Sequence, residues 1–313
     1  MSRRTRAVDI VAVGELLIDF ISTDFAENLK DVQHFQRFQG GSPANLSMNM
    51  ARLGNQATLV ASVGADDMGS FLIEAVSRVG VDTRHIERVV EQPTTFILVT
   101  RSQQTSNFEA YRGADTAISS AQLPDDLLKN TSIFHTTCFG MSSATAQNTI
   151  LQAARRASDW GCQLSLDANY AAKIWKHQQE AQQLVEEYCS YGALVKVSEV
   201  DWERLYGSPF LKPEEAGTHF LSLGAKAVCV TLGGAGLMVF SETESHFLPS
   251  RPVEVKDTTG AGDAFWSGFL TAWLDGYSLL SCAKAGRRMA EFKLGYLGNL
   301  PLQLDKAIIY EEL

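Results

Sequence analysis

Two stretches of the chain hold polar groups at spacings that chemistry would need. The first, Lys256 to Leu270, reads KDTTGAGDAFWSGFL. Its glycines, Gly260 and Gly262, free the backbone so that successive N–H groups can point into one concavity at a helix start. The positive end of the helix dipole adds to this, which makes the stretch a candidate anion site. Asp263 stands at the junction with the apolar run AFWSGFLTAWL. A carboxylate there has two readings. It caps the helix, as Asp often does, or it takes a proton from a nucleophilic hydroxyl. In the second case the amides of Gly260, Ala261, Gly262 and Asp263 would hold the charge on a transferred phosphoryl group. Read alone, the stretch leaves both open.

The second stretch, residues 40–54, reads GGSPANLSMNMARLG. Gly40 and Gly41 break the chain, Ser42 is a candidate N-cap, and Pro43 suits a first helical turn. Leu46, Met50 and Leu53 follow helical spacing, with a stop at Gly54. Asn45 can donate and accept hydrogen bonds together, which suits a polyhydroxyl ligand; an ordinary glycine turn accounts for the same residues.

Several other chemistries are excluded. No G-x-x-x-x-G-K-[ST] run exists, and GAGDAF matches G-x-G-x-x-G only in part, because Phe265 takes the third small position. No βαβ unit follows it, which argues against a dinucleotide site. The five cysteines (138, 162, 189, 229 and 282) are scattered without a CxxC or a His at ligand spacing, so they read as reduced core thiols. A net charge of −9 opposes a nucleic-acid partner. No apolar run reaches the roughly 18 residues of a membrane helix, and MSRRTR is too short for a signal peptide. The expectation is a cytoplasmic protein without a membrane partner.

The elements that must position these residues alternate. VDIVAVG, ATLVASVG, SIFHTTC, CQLSLDAN, GALVKVS and AKAVCVTLG read as buried strands, and the intervening MGSFLIEAVSRVG, ATAQNTILQAARRASDWG and PEEAGTHFLSLG as helices. That alternation predicts an α/β fold of βαβ crossovers, with a mostly parallel central sheet between two helical layers. LLIDFIS, HFQRFQG and the hairpin TTFILVTR/NFEAYRG, joined by SQQTS, are β without helices between them. They predict a small β-sheet lid inserted from about 15–40 and 94–114 into a single domain spanning 1–313. Two helices broken at Gly276 fill the tail from Ala261 to Lys293.

GGSPAN and DTTGAGDAFWSGFL together resemble the two signatures of the ribokinase-like (PfkB) carbohydrate kinases, and most of all the fructokinases. The likeness extends to Gly14 and Asp19 of VGELLIDF, to SVGADDMG, to KVSEVDWERLYG and to VTLGGAG, so it covers nearly the whole chain. It implies transfer of a phosphoryl group from ATP, with Mg2+, to a sugar hydroxyl in a cleft beneath the lid. It makes Asp263 the general base and the 260–263 amides the anion hole. It points to Asp19, Gly41, Asn45 and Arg112 for the sugar. Ser198, Thr231, Gly233 and Gly236 fall to the nucleotide, and Asp201 to Mg2+ through water. Asp257 and Thr259 match positions of a monovalent-cation loop, which raises a K+ requirement.

Three departures stand out. The N-x-x-E element of the family is Ser198-Glu199-Val200-Asp201 here. In DANYAAKIW, Ala171 stands where fructokinases often carry Arg, leaving Lys173 or Arg112 as substitutes. The tail AGRRMAEFKLGYLGNLP is bulkier and more basic than the small-residue helix of relatives, and is expected to reshape the nucleotide or cation pocket. GGSPAN and YRGADTAI favour D-fructose as the sugar, ahead of 2-keto-3-deoxygluconate and then ribose or a nucleoside. The acidic overall balance argues against a phosphorylated sugar. A sugar-binding regulator without catalysis is the reading from a different class, and a dehydrogenase a third. Phe35, Phe38, Phe96 and Phe108 suggest an apolar lid face that pairs two copies into a homodimer.

Overall fold

A computed structural model describes residues 6–101, 107–296 and 300–311; the SQQTS connection lies outside them. The strands are β1 (Val8–Val13), β2 (Leu17–Phe25), β3 (Phe35–Gly40), β4 (Ala57–Gly64), β5 (Ile86–Val89), β6 (Phe96–Arg101), β7 (Phe108–Tyr111), β8 (Thr131–Thr137), β9 (Gln163–Asp167), β10 (Leu194–Ser198), β11 (Ala227–Thr231), β12 (Gly236–Phe240) and β13 (Ser245–Pro249). The helices are α1 (Ser42–Arg52), α2 (Asp67–Arg78), α3 (Asp125–Lys129), α4 (Ala144–Asp159), α5 (Gln178–Ser190), α6 (Glu199–Tyr206), α7 (Pro213–Ser222), α8 (Ala261–Leu274) and α9 (Leu279–Leu294).

The large sheet runs β13-β12-β11-β10-β9-β8-β1-β4-β5, parallel from β11 to β5 and closed at one edge by the antiparallel β12 and β13. Its inner strands carry near-continuous apolar runs because helices cover both faces. One core layer joins Leu46 and Met50 of α1, Leu72 and Val76 of α2, and most of α8 and α9. The other joins Ala146 and Ile150 of α4, Leu184 and Tyr188 of α5, and Phe220 of α7. The result is the three-layer α/β/α architecture that the ribokinase-like resemblance implies.

Four elements escaped the sequence pattern: the short β5 and α3, and also α5 and β13. Residues 178–190 form α5, whose buried Ala181, Leu184, Val185, Tyr188 and Cys189 follow helical spacing beneath a Gln- and Glu-rich surface. Strand β13 is short and mostly exposed, so it carries little alternation.

The small sheet runs β3-β2-β6-β7. Register puts Leu17, Asp19, Ile21, Phe38, Ile97, Val99, Phe108 and Ala110 on one face. Leu17 and Ile97 of that face pack against Phe139 and Ala171, with Phe108 and Ile174 at the margin. The residue in the expected Arg position is therefore part of an apolar seam between the two sheets. Phe35 and Phe96 lie on the opposite face, where Phe96 stacks on Tyr111 at 4.8 Å and meets Phe20 edge-on. The four lid phenylalanines are thus split between two faces, and do not make the single patch from which pairing of two copies was expected.

Candidate active site

The loop before α1 brings the chain back from the small sheet to the large one. Gly41 takes a φ of +102°, and a Cβ there would lie 2.3 Å from the Glu15 carbonyl oxygen. Glycine is required on both counts. It is Gly41, not Ser42, that occupies the N-cap position, so the Ser42 hydroxyl is free for another task. Ser42 Oγ donates to Asp263 Oδ1 at 2.7 Å, and Asn45 Nδ2 donates to Asp263 Oδ2 at 2.9 Å. Gln39 Nε2 in turn donates to Asn45 Oδ1 at 3.1 Å and fixes the amide's orientation.

Asp263 sits in the first turn of α8, where its charge suits the helix dipole. The N-cap is Gly260 in the left-handed conformation, with no side-chain capping bond. The carboxylate therefore reaches across to α1 instead of capping its own helix. Burial raises its pKa, and the bonds from Ser42 and Asn45 together with the Lys196 charge oppose that rise. The first turn of a helix leaves amides without intrahelical partners. Among the four amides of the expected anion hole, that of Ala261 donates to Thr258 O at 3.2 Å.

Lys196 and Asp167 belong to the same centre. Lys196 stands in the middle of β10 and Asp167 at the end of β9, and Lys196 Nζ donates to both Asp167 carboxylate oxygens at 2.9 and 2.8 Å. A Cβ added at Gly262 would lie 3.3 Å from Lys196 Nζ, so the ammonium abuts the α8 turn. Burial disfavours the charge, yet Asp167, Asp201 and Asp263 outweigh it and raise the pKa of Lys196. Neither residue was singled out from the sequence. The available signal was a lysine inside the apolar strand ALVKVS, since a buried charge needs a partner.

Of the sugar candidates, Asp19 and Asn45 line a cleft of about 660 Å3 with Phe38, Val99 and Gly260. Gly40 makes room for Asp19: a Cβ there would lie 2.1 Å from Asp19 Oδ2. Burial, then repulsion from Asp263, pushes the Asp19 pKa to about 7. Arg112 is not among the cleft-lining residues. Its Nη2 lies 2.6 Å from Asp115 Oδ2, and its Nη1 donates to Ser142 Oγ at 2.7 Å. Lys173 is spent on the lid edge, where it meets Asn107, the Phe108 carbonyl and Glu109. Neither arginine substitute proposed for position 171 reaches the cleft.

Of the nucleotide candidates, Ser198 and Thr231 pair across β10 and β11, and a Cβ at Gly233 would lie 3.7 Å from Glu199 Oε1. Gly236 opens β12, where a Cβ would meet Leu248 O at 2.1 Å. These residues therefore cluster at the carboxyl ends of the parallel strands, the usual ligand edge of an open α/β sheet. Asp201 closes a capping box: its Oδ2 accepts from the Ser198 amide and hydroxyl, and its own amide donates to Ser198 Oγ.

The residues at Asp257 and Thr259 do not fit a monovalent ion as they stand. Asp257 Oδ1 accepts the Thr259 amide at 2.9 Å, and Oδ2 faces Lys293 Nζ at 3.3 Å. An added cation there would meet a fixed ammonium.

An α/β protein with a half-buried carboxylate at a helix N-terminus beside a buried lysine, under a small sheet, has the equipment of a phosphotransferase. The family model described as pfkB family carbohydrate kinase matches residues 7–302. An ATP-dependent 6-phosphofructokinase from Thermoanaerobacterium thermosaccharolyticum is 33% identical over 292 residues, covering 93% of this chain and 89% of its own length. Fructokinase-1 of Oryza sativa subsp. japonica is 29% identical over 309 residues, covering 95% of each. The structure of Halothermothrix orenii fructokinase superposes with a TM-score of 0.80 at 31% identity, covering 94% of this chain and all of that one. The chain belongs to the pfkB family of carbohydrate kinases.

Two predictions follow from the carboxylates. Glu15 is buried, with Oε1 accepting the Ser42 amide and Oε2 the Thr137 hydroxyl, and burial pushes its pKa to about 8. Above about pH 4, where the unfolded chain has lost these protons, folded Glu15 holds its proton up to about pH 8 and Asp19 up to about pH 7, so stability falls as pH rises through those windows. Thermal unfolding of Glu15→Gln should show a gain relative to wild type that is larger at pH 8 than at pH 5; equal differences at both would mean that folded Glu15 is ionised throughout. Asp201→Ala should lose the α6 cap, costing about 1 kcal/mol. Calorimetry with steady-state kinetics checks this: a large loss of turnover at unchanged melting temperature would move Asp201 from the cap to the nucleotide.

Proposed function

We propose that the protein transfers the γ-phosphoryl group of MgATP to a hydroxyl of D-fructose, forming fructose 6-phosphate, with Asp263 as the general base. The observation that carries this reading is the aim of Asp263: it lies in the first turn of α8 but is oriented by Ser42 and Asn45 of α1. Ser42 Oγ, 2.7 Å from Oδ1, is at the distance an acceptor hydroxyl would adopt. The raised pKa of Asp263 makes it a better proton acceptor than an ordinary surface carboxylate, while Lys196 keeps it from becoming neutral too readily. As the hydroxyl oxygen attacks phosphorus, its proton passes to Asp263 and the bond to ADP breaks. The α8 amides and the Lys196 ammonium meet the charge on the transferred group. Asp19, held against Gly40 over the cleft, accepts hydrogen bonds from the sugar.

A second acceptor has an observation of its own. Arg52, Arg101, Lys256 and Lys293 line the cleft against the two acids Asp19 and Asp257. A surplus of cations suits fructose 6-phosphate, the substrate class in the name of the Thermoanaerobacterium relative. The phosphoryl group would then pass to a different hydroxyl by the same chemistry.

Steady-state kinetics with MgATP and a panel of fructose, fructose 6-phosphate, 2-keto-3-deoxygluconate and ribose separates these. Fructose should give the highest kcat/KM; a preference for fructose 6-phosphate that falls about tenfold or more in Arg101→Ala or Lys256→Ala would install the second acceptor instead. Asp263→Asn should fold with an unchanged circular dichroism spectrum and lose roughly 10²–10⁴-fold in kcat. Full activity in that variant would reduce Asp263 to a helix-terminal charge.

A further inference from the structure

The carboxylate of Asp257 opens the turn that leads into α8, and both of its oxygens are engaged. Oδ1 accepts the amide of Thr259, two residues on, at 2.9 Å. Oδ2 faces Lys293 Nζ at 3.3 Å. Lys293 lies at the end of α9, where only 10% of its side chain is exposed, and its ammonium also reaches the Tyr296 carbonyl at 3.4 Å. The backbone repeats the same link, since the Lys256 amide donates to Leu294 O at 2.8 Å. Burial would raise the Asp257 pKa, but the Thr259 hydrogen bonds and the Lys293 charge hold it below the usual carboxylate range.

This link reaches the reaction centre. A Cβ placed on Gly260, the N-cap of α8, would be 4.0 Å from Lys293 Cε and 3.9 Å from Asp263 Oδ2. The lysine stem therefore packs beneath the glycine whose left-handed conformation aims the α8 amides. A positive charge bound to Asp257 and a backbone carbonyl is what a monovalent cation would supply to such a turn. Here a side chain of the protein supplies it.

We propose that Lys293 is a built-in cation that holds the 257–260 turn in its anion-binding shape, so that the protein needs no potassium or other monovalent ion. Lys293 is a positioning residue: it acts through Asp257 and Gly260 and not on the reacting atoms. The link to catalysis rests on the kinase reading above, whereas the cation claim itself is tested without substrate.

Thermal unfolding of the protein free of nucleotide, in KCl against tetramethylammonium chloride at equal ionic strength, reads the site directly. Wild type should melt at the same temperature in both salts. Lys293→Met, which keeps the apolar stem and removes the charge, should melt lower in tetramethylammonium and recover by several degrees in KCl. Lys293→Arg should keep the indifference of wild type. In parallel, ATP affinity by titration calorimetry should be equal in both salts for wild type and fall about tenfold in tetramethylammonium for Lys293→Met. A potassium-specific rise in the wild-type melting temperature overturns the proposal, and so does a Lys293→Met variant that folds and is indifferent to the salt. If Lys293→Met fails to fold in either salt, the wild-type comparison and Lys293→Arg decide: salt-indifference in both supports the proposal, and potassium-specific stabilisation of either overturns it. A protein that meets these expectations but phosphorylates no sugar would count against the kinase reading and leave the cation assignment standing.

Discussion

Two helix N-termini, α1 and α8, are turned toward one half-buried carboxylate. Each carries partial positive charge, so bringing them together without an anion between them would be unfavourable. Asp263 answers both: it belongs to the first turn of α8 and accepts hydrogen bonds from Ser42 and Asn45 in the first turn of α1. These contacts join residues 221 and 218 positions apart in the chain, and so close the long excursion through the rest of the fold. Desolvation of the carboxylate works against them and leaves the group more basic than a surface Asp. The interaction that seats α8 on α1 thus also leaves a more basic carboxylate, so a structural role for Asp263 and the proposed chemical one are compatible.

Charge is balanced around this point by residues from separate strands. Lys196 is surrounded by Asp167, which it contacts directly, and by the fields of Asp201 and Asp263. A lysine at this depth persists only because carboxylates exceed it in number; removing one partner would leave an uncompensated buried ion, the costly outcome for such groups. On the proposed reading, a polyanionic nucleotide would meet this surplus of negative charge, with the amides of α8 and the Lys196 ammonium to offset it. Order in the site follows from this balance, because each carboxylate has a fixed donor: Ser198 for Asp201, Lys196 for Asp167, Ser42 and Asn45 for Asp263.

The central sheet was legible in the sequence because strands buried on both faces are uniformly apolar and punctuated by glycine, as in VDIVAVG and AKAVCVTLG. The small sheet was legible for the opposite reason, as β-rich runs with no helix between them. Helix α5 was missed because its Gln- and Glu-rich surface masks five buried positions. In the site, glycine-bearing stretches announced themselves, since few other residues tolerate those backbone angles. Pairing did not. Nothing local in ALVKVS tells that Lys196 meets Asp167, and nothing in YRGADTAI tells that Arg112 is bound to Asp115 before it can meet a ligand. Ser42 was read as a cap because capping is a local rule, whereas its partner lies in another helix.

Net charge is a global quantity, whereas the lining of the cleft is a local one. A balance of −9 pointed away from a phosphorylated sugar, yet the cleft gathers Arg52, Arg101, Lys256 and Lys293 against Asp19 and Asp257. At a screening length of about 8 Å in physiological salt, distant surface acids contribute little to the potential inside such a cleft. Nor do the four cations act alike. Lys293 is held by Asp257, and Arg52 by Asn49 Oδ1 and the Pro301 carbonyl, so these two shape the walls. Arg101, the last residue of β6, stacks on Phe25, and both line the cleft. On the proposed reading, acceptor choice would rest with one or two cations at the lid margin, and the transfer chemistry with Asp263 and its neighbours.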